Sequence, residues 1–108
     1  MSVVAAGFDW DDGNREKCRK HGMTLAEIEH VLVHGETLIV PTPKKAIVEP
    51  RFVAIGRTST GRYAFVVFTP RKTNGETRLR PLSARFMHQK EIDKYEEEIS
   101  RAQKRQGS

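Results

Sequence analysis

The sequence predicts an α+β domain, an antiparallel sheet with helices packed on it. Three observations carry that expectation. Apolar residues recur at helical spacing up to Leu32 and at a period of two beyond Gly35. Turn residues at Thr58-Ser59-Thr60-Gly61 and Asn74-Gly75 cut the second half into strand-length pieces. A helical stripe then returns near the C-terminus.

In chain order, Phe8-Asp9-Trp10 alternates apolar and polar, and predicts a short first strand. Asp11 or Asp12 is placed to cap a helix running to about His21, with Gly22 as its stop. Thr24 and Glu27 have the spacing of a capping box. Behind it, Leu25, Ile28, Val31 and Leu32 give a second helix its buried stripe, and His34-Gly35 ends it. Residues 37–40 predict a strand stopped by Pro41 and Pro43, and residues 51–57 another. Residues 62–69 return as its hairpin partner, with Ala64 to Phe68 apolar on both faces and therefore central. Residues 72–76 predict a turn and 77–84 the last strand, which Pro81 confines to an edge or an interruption. A helix over about 88–104 carries Ile92, Tyr95, Ile99 and Ala102 on one side. Such a sheet buries one face and offers the other to a ligand.

The 108 residues fit one domain, expected over 8–104 with unstructured tails at 1–7 and 105–108. No apolar run approaches the roughly 20 residues of a membrane-spanning helix. The opening residues lack the basic start and apolar core of a secretory signal. The single cysteine, Cys18, excludes an intrachain disulfide and suits a reducing, cytoplasmic setting. It sits within a helix with no His–Asp arrangement dedicated to it, which favours a free thiol over a nucleophile. His30 and His34 lie one helical turn apart, but a metal site needs a third ligand and none is evident, so no metal or cofactor is expected. No phosphate-binding glycine loop and no Gly-x-Ser-x-Gly elbow is present.

Charge distribution says more than the net +5. Residues 51–90 hold nine basic side chains against one acid, Glu76, so that block carries +8 and the rest −3. Seven of the nine are arginines, whose planar forks grip phosphate oxygens in pairs and keep their charge. The alternative is an Arg-rich edge that discourages aggregation.

Phe8-Asp9-Trp10-Asp11, Lys20-His21-Gly22, Ile55-Gly56, Gly61-Arg62 and Val66-Val67-Phe68-Thr69 occur in order. Arg71, Arg80, Ser83-Ala84-Arg85, Glu91 and Tyr95-Glu96 follow. No single piece is specific, but the ordered combination resembles the BrnT family of toxins over residues 8–96. It departs from that pattern in two places. Arg80-Pro81-Leu82 stands where Arg-Ile-Ile is usual, and the Asn common before Lys-His-Gly is missing. The resemblance implies a RelE-like fold and a metal-independent endoribonuclease acting on messenger RNA. It also implies a cognate BrnA-like antitoxin of ribbon-helix-helix type, through which alone operator DNA would be bound.

Cleavage through the ribose 2′-hydroxyl needs a base, an acid and cations that stabilise the phosphorane. Arg71, Arg80 and Arg85 are the candidates for the cationic role, and each hydrogen bond that strengthens in the transition state contributes about 3 kcal/mol. Arg71 and Arg85 have an alternative as salt-bridge anchors of the fold. Arginine is a poor base, so His21 is the acid–base candidate; its alternative is to cap a helix end. Lys20, Arg57 and Arg78 complete the expected RNA-binding set. Arg57 and Arg62 flank a turn, where the alternative is a solvated charge, and Trp10 is read as a core anchor rather than a stacking platform. Two classes of function are consistent with the whole: a ribonuclease with a basic sheet face, or a non-catalytic module that binds its antitoxin or a nucleic acid.

Overall fold

A computed structural model describes residues 5–34, 36–42 and 49–106. Gly35, Pro43, residues 1–4 of the expected N-terminal tail and 107–108 of the C-terminal one lie outside the described residues. The elements follow the expected order. β1 is Gly7–Phe8, α1 Asp12–Arg19, α2 Leu25–Val33, β2 Leu38–Pro41, β3 Phe52–Arg57, β4 Tyr63–Thr73, β5 Glu76–Phe86 and α3 Gln89–Gln106. One five-stranded sheet has the order β1-β5-β4-β3-β2. Strands β2 to β5 form an antiparallel meander, and β1 pairs in parallel with β5. This is the α+β architecture expected, and it is consistent with a RelE-like fold.

Both N-terminal helices start where their caps dictate. Asp11 accepts from the Asn14 backbone N–H while the Asn14 side chain accepts from the Asp11 N–H. Thr24 and Glu27 form the reciprocal box at α2. α1 packs on β5, and α2 packs on β3 and β4. Between helices and sheet lies the core, with Cys18, Met23, Ile28, Val31, Leu32, Ala54, Ala64, Val66, Phe68, Leu79 and Ala84 all buried. Each large apolar side chain there stabilises the fold by roughly 1.5–3 kcal/mol. The segment joining α2 to β2 comes close to the sheet at Gly56, where an added Cβ would collide with Thr37 Oγ1. That hydroxyl is itself held by a 2.6 Å bond to the Val31 carbonyl, so it has little room to yield.

The β4–β5 turn is tighter than expected. Thr73 pairs with Glu76, leaving only Asn74 and Gly75 at positive φ, the two-residue primed turn that Asn-Gly favours. β5 lies inside the sheet, between β1 and β4, despite Pro81. Two features accommodate the proline. Leu82 is an extra residue, since Ser83 pairs with Val67 and Pro81 with Phe68. β1 ends at Phe8, opposite Leu79, so the missing N–H has no neighbouring strand to satisfy. The Pro81 carbonyl instead accepts from Asn14 Nδ2 at 2.9 Å. Interruption, rather than an edge position, is therefore how the proline is tolerated.

At the N-terminus the Ala6 N–H donates to Thr77 O at 2.8 Å, so pairing begins ahead of residue 8. At the other end, the apolar stripe of α3 is only half used. Ile92 and Tyr95 are half-buried, whereas Ile99 is 37% exposed and Ala102 is exposed. An 18-residue helix is about 27 Å long and outruns the sheet that it meets.

Candidate functional site

The bulge at Leu82 decides which side chains share a face. In an uninterrupted strand, Arg80 and Arg85 are an odd number of residues apart and would point to opposite sides. With one extra residue between them, Arg80 pairs with Thr69 and Arg85 with Phe65, on the face away from α1 and α2. Arg78, opposite Arg71, joins the same face, as does Arg57 opposite Tyr63. Four of the expected phosphate and RNA residues on β4 and β5 are thus brought to one side of the sheet.

Arg71 and Arg80 converge at one end of that face. Arg80 is the more enclosed, with its side chain 16% exposed. Its guanidinium bonds Asp11 Oδ2 at 2.8 Å and approaches Asp9 Oδ1 at 3.6 Å. Arg71 bonds Glu49 Oε1 at 2.9 Å and lies 3.9 Å from Asp9 Oδ2. Asp9 therefore sits between two guanidiniums. Arg78 is nearby through its register partner Arg71, with Glu76 3.6 Å away. The Asn14 N–H, and after it the Arg80 guanidinium, hold the Asp11 carboxyl below the usual carboxylate range.

Arg85 belongs to a different arrangement. It forms a two-pronged pair with Glu91, both bonds 2.8 Å, and its guanidinium lies over the Phe65 ring. Glu91 also accepts from the His88 N–H, so it clamps the start of α3. The Arg85 bond, followed by the His88 N–H, pulls the Glu91 carboxyl down to about 2. Hydrogen bonding to Glu91 pushes Arg85 up in turn.

Lys20 and His21 are exposed beyond the last turn of α1. The rise of a helix puts them roughly 14 Å from the Asp11 end that meets Arg80. Among the described residues no hydrogen bond or ion pair joins them to Arg71, Arg80 or Arg85. Arg57 and Arg62 are not merely solvated, since their guanidiniums lie 4.9 Å and 3.5 Å from the centroids of Tyr63 and Phe86. Trp10 packs on the core and donates to Glu29 at 2.9 Å. Burial pushes the Cys18 thiol up to about 11, which disfavours the nucleophilic thiolate. His30 and His34 have ring centroids 5.2 Å apart, and no third metal-binding group joins them among the described residues. A cavity of about 790 Å³ lies at the other end of β4, between Tyr63 and the α3 residues Tyr95 and Ile99. Neither Arg71 nor Arg80 lines it.

Sequence reasoning missed the acids. Asp9 and Asp11 stand two residues apart in Phe8-Asp9-Trp10-Asp11, but their partners are some 60–70 positions away in sequence. Their period-two spacing beside a short strand was the available signal.

A family model described as the ribonuclease toxin BrnT of a type II toxin–antitoxin system matches residues 10–91. The chain belongs to that family. It is thereby a BrnT ribonuclease toxin, and a type II system implies a cognate antitoxin. No curated protein matches the chain. The family match takes in all four arginines of β4 and β5 and Glu91, but stops one residue short of Asp9. No helix among the described residues of this BrnT toxin is long and apolar enough to cross a membrane.

Proposed function

We propose that this toxin cleaves messenger RNA in the cytoplasm without a metal, by attack of a ribose 2′-hydroxyl on the adjacent phosphate. Arg71 and Arg80 bind that phosphate and stabilise the charge that develops on it, and Arg78 holds a neighbouring phosphate. The observation that carries this reading is the convergence of Arg71 and Arg80 around Asp9 on the open sheet face. Guanidiniums fixed by carboxylates need little reorganisation when a phosphorane forms, which is where electrostatic catalysis gains most. Lys20, His21 and Arg57 contact flanking RNA, since none of them reaches the same phosphate. Arg85, held by Glu91, seats α3.

The test is cleavage of end-labelled RNA by purified, antitoxin-free toxin in EDTA, with the new ends mapped. Cuts ending in a cyclic or 2′/3′-phosphate are expected. Ends with a 3′-hydroxyl would refute the 2′-hydroxyl mechanism while leaving a nuclease, and no cuts by folded protein would favour a binding module. The antitoxin is of ribbon-helix-helix type and covers the arginine face, because masking the phosphate site silences it directly. A toxin with Arg71, Arg78 and Arg80 all replaced by Ala should then bind its antitoxin at least tenfold more weakly; wild-type affinity would count against masking.

A further inference from the structure

The cationic cluster lacks an assigned base, and His21 stands too far from it. Five carboxylates lie beside the arginines of the open face: Asp9, Asp11, Glu49, Glu76 and Glu91. Glu76 approaches Arg78 alone, at 3.6 Å, and neither Arg71 nor Arg80. Three of the others are committed. Asp11 caps α1 and bonds Arg80, Glu49 bonds Arg71, and Glu91 bonds Arg85 and the His88 N–H. Asp9 differs from them. Its carboxylate accepts no hydrogen bond among the described residues, and the two guanidiniums beside it are at 3.6 and 3.9 Å, beyond hydrogen-bond length. It is about one-third exposed, so substrate has access to it.

The backbone of Asp9 is nonetheless fixed on both sides. Its N–H donates to Leu79 O at 2.9 Å, and its carbonyl accepts from Asn14 Nδ2 at 2.9 Å. A carboxylate with free lone pairs, on rigid backbone, between two phosphate-binding groups is the arrangement that proton abstraction requires. We infer that Asp9 is the general base of this ribonuclease, an assignment that rests on the 2′-hydroxyl chemistry proposed above.

An Asp9 carboxylate oxygen takes the proton of the 2′-hydroxyl as that oxygen bonds to phosphorus. The bond from phosphorus to the 5′-oxygen breaks, and the 5′-oxygen leaves with a proton drawn from solvent. The products are a 2′,3′-cyclic phosphate and a 5′-hydroxyl, and Asp9 returns its proton to water. Arg71 and Arg80 hold the phosphate within reach of Asp9, and their charges offset the repulsion between phosphate and carboxylate.

The experiment compares full-length wild type, Asp9→Asn and Asp9→Glu in single-turnover cleavage of an oligoribonucleotide in EDTA, as a function of pH. Binding of the same oligonucleotide with a 2′-deoxy residue at the cut site is measured in parallel. Asp9→Asn should cut at least about 100-fold more slowly. It should also lose the rise in rate with pH on the acid side, while binding the deoxy probe within about threefold of wild type. Asp9→Glu, which keeps a carboxylate, should retain that rise at reduced rate, and it tests the same point if the Asn variant does not fold. An Asp9→Asn enzyme that keeps the acid-side rise, or whose rate falls only as much as its binding, overturns the base assignment and leaves the 2′-hydroxyl reading intact. Wild type that does not cut in EDTA overturns both.

Discussion

Arg80 and Arg85 lie on one strand and one sheet face, yet their surroundings divide the work between them. Arg80 is nearly enclosed, bonded to one aspartate and approached by a second that no hydrogen bond ties down. Arg85 is more open, and a single glutamate satisfies its fork at both prongs. A phosphate arriving at Arg80 meets donors beside an unengaged carboxylate. One arriving at Arg85 must first break a bidentate pair that also starts a helix. On the proposed mechanism, residue type and face do not separate a catalytic arginine from a structural one; how its fork is occupied does.

The comparison exists only because of the bulge, and removing it is the most damaging way to break it. Deleting Leu82 restores an uninterrupted strand, and Arg80 then points into the core or Arg85 does, depending on which half keeps its register. Either outcome buries a charge without its partner, and we expect no cooperative unfolding transition by circular dichroism in urea. A normal transition for the deletion variant would mean that the register does not set the face.

Replacing each arginine separately sharpens the contrast. Arg80→Ala should lower the cleavage rate by at least about 100-fold, the scale of one lost transition-state donor. Arg85→Ala should stay within about threefold of wild type in rate, since its partner is remote from the reacting phosphate. Single-turnover rates on the same RNA decide it. Equal losses would return Arg85 to the catalytic set expected from sequence.

Acid should undo the Arg85 clamp before it touches the arginines themselves. Glu91 is ordinarily protonated near 4.5 and in the folded chain near about 2. Its folded value is depressed, so its contribution is complete above about 4.5 and is lost as pH falls toward about 2. The Tyr63–Tyr95 edge contact, with ring centroids 5.7 Å apart, reports on seating of α3. Tyr95 ring signals in NMR should move toward solvent-exposed values across that window in wild type. In Glu91→Gln they should already be displaced at neutral pH and insensitive to this titration. An unchanged Tyr95 in that variant would show that α3 is held by other contacts.

Local chemistry was legible from sequence, and long-range pairing was not. The Thr24–Glu27 box, the Asn74-Gly75 turn and the central position of β4 all follow from neighbours a few residues apart. The arginines were legible as a charge block because a sequence displays composition directly. Their counter-ions were not, since Asp9 meets Arg71 and Arg80 only once β1 docks in parallel on β5. Nor could the pairing of His21 with the arginines be judged, because α1 separates its two ends by its own length. Pro81 read as a defect in the last strand. In the fold it stands beside the bulge that aligns the arginines, with Asn14 taking its carbonyl.

The smallest expected effects fall on the residues assigned to binding alone. Arg78 is about half exposed, pairs with Glu76 only at 3.6 Å, and faces Arg71 across the strand pair. A contact of that kind contributes affinity through released counterions rather than through the transition state. Arg78→Ala should weaken RNA binding to a similar extent for every sequence tried. It should also flatten the dependence of log affinity on log salt by about 0.7, the increment for one phosphate of a single strand. Its cleavage rate at saturating RNA should stay near wild type. Arg57, whose guanidinium is already engaged over Tyr63, should change that slope by less. If Arg78→Ala instead lowers the saturated rate as far as Arg80→Ala does, the boundary between binding and catalytic arginines moves outward by one residue pair. Asp9 would then serve three guanidiniums rather than two.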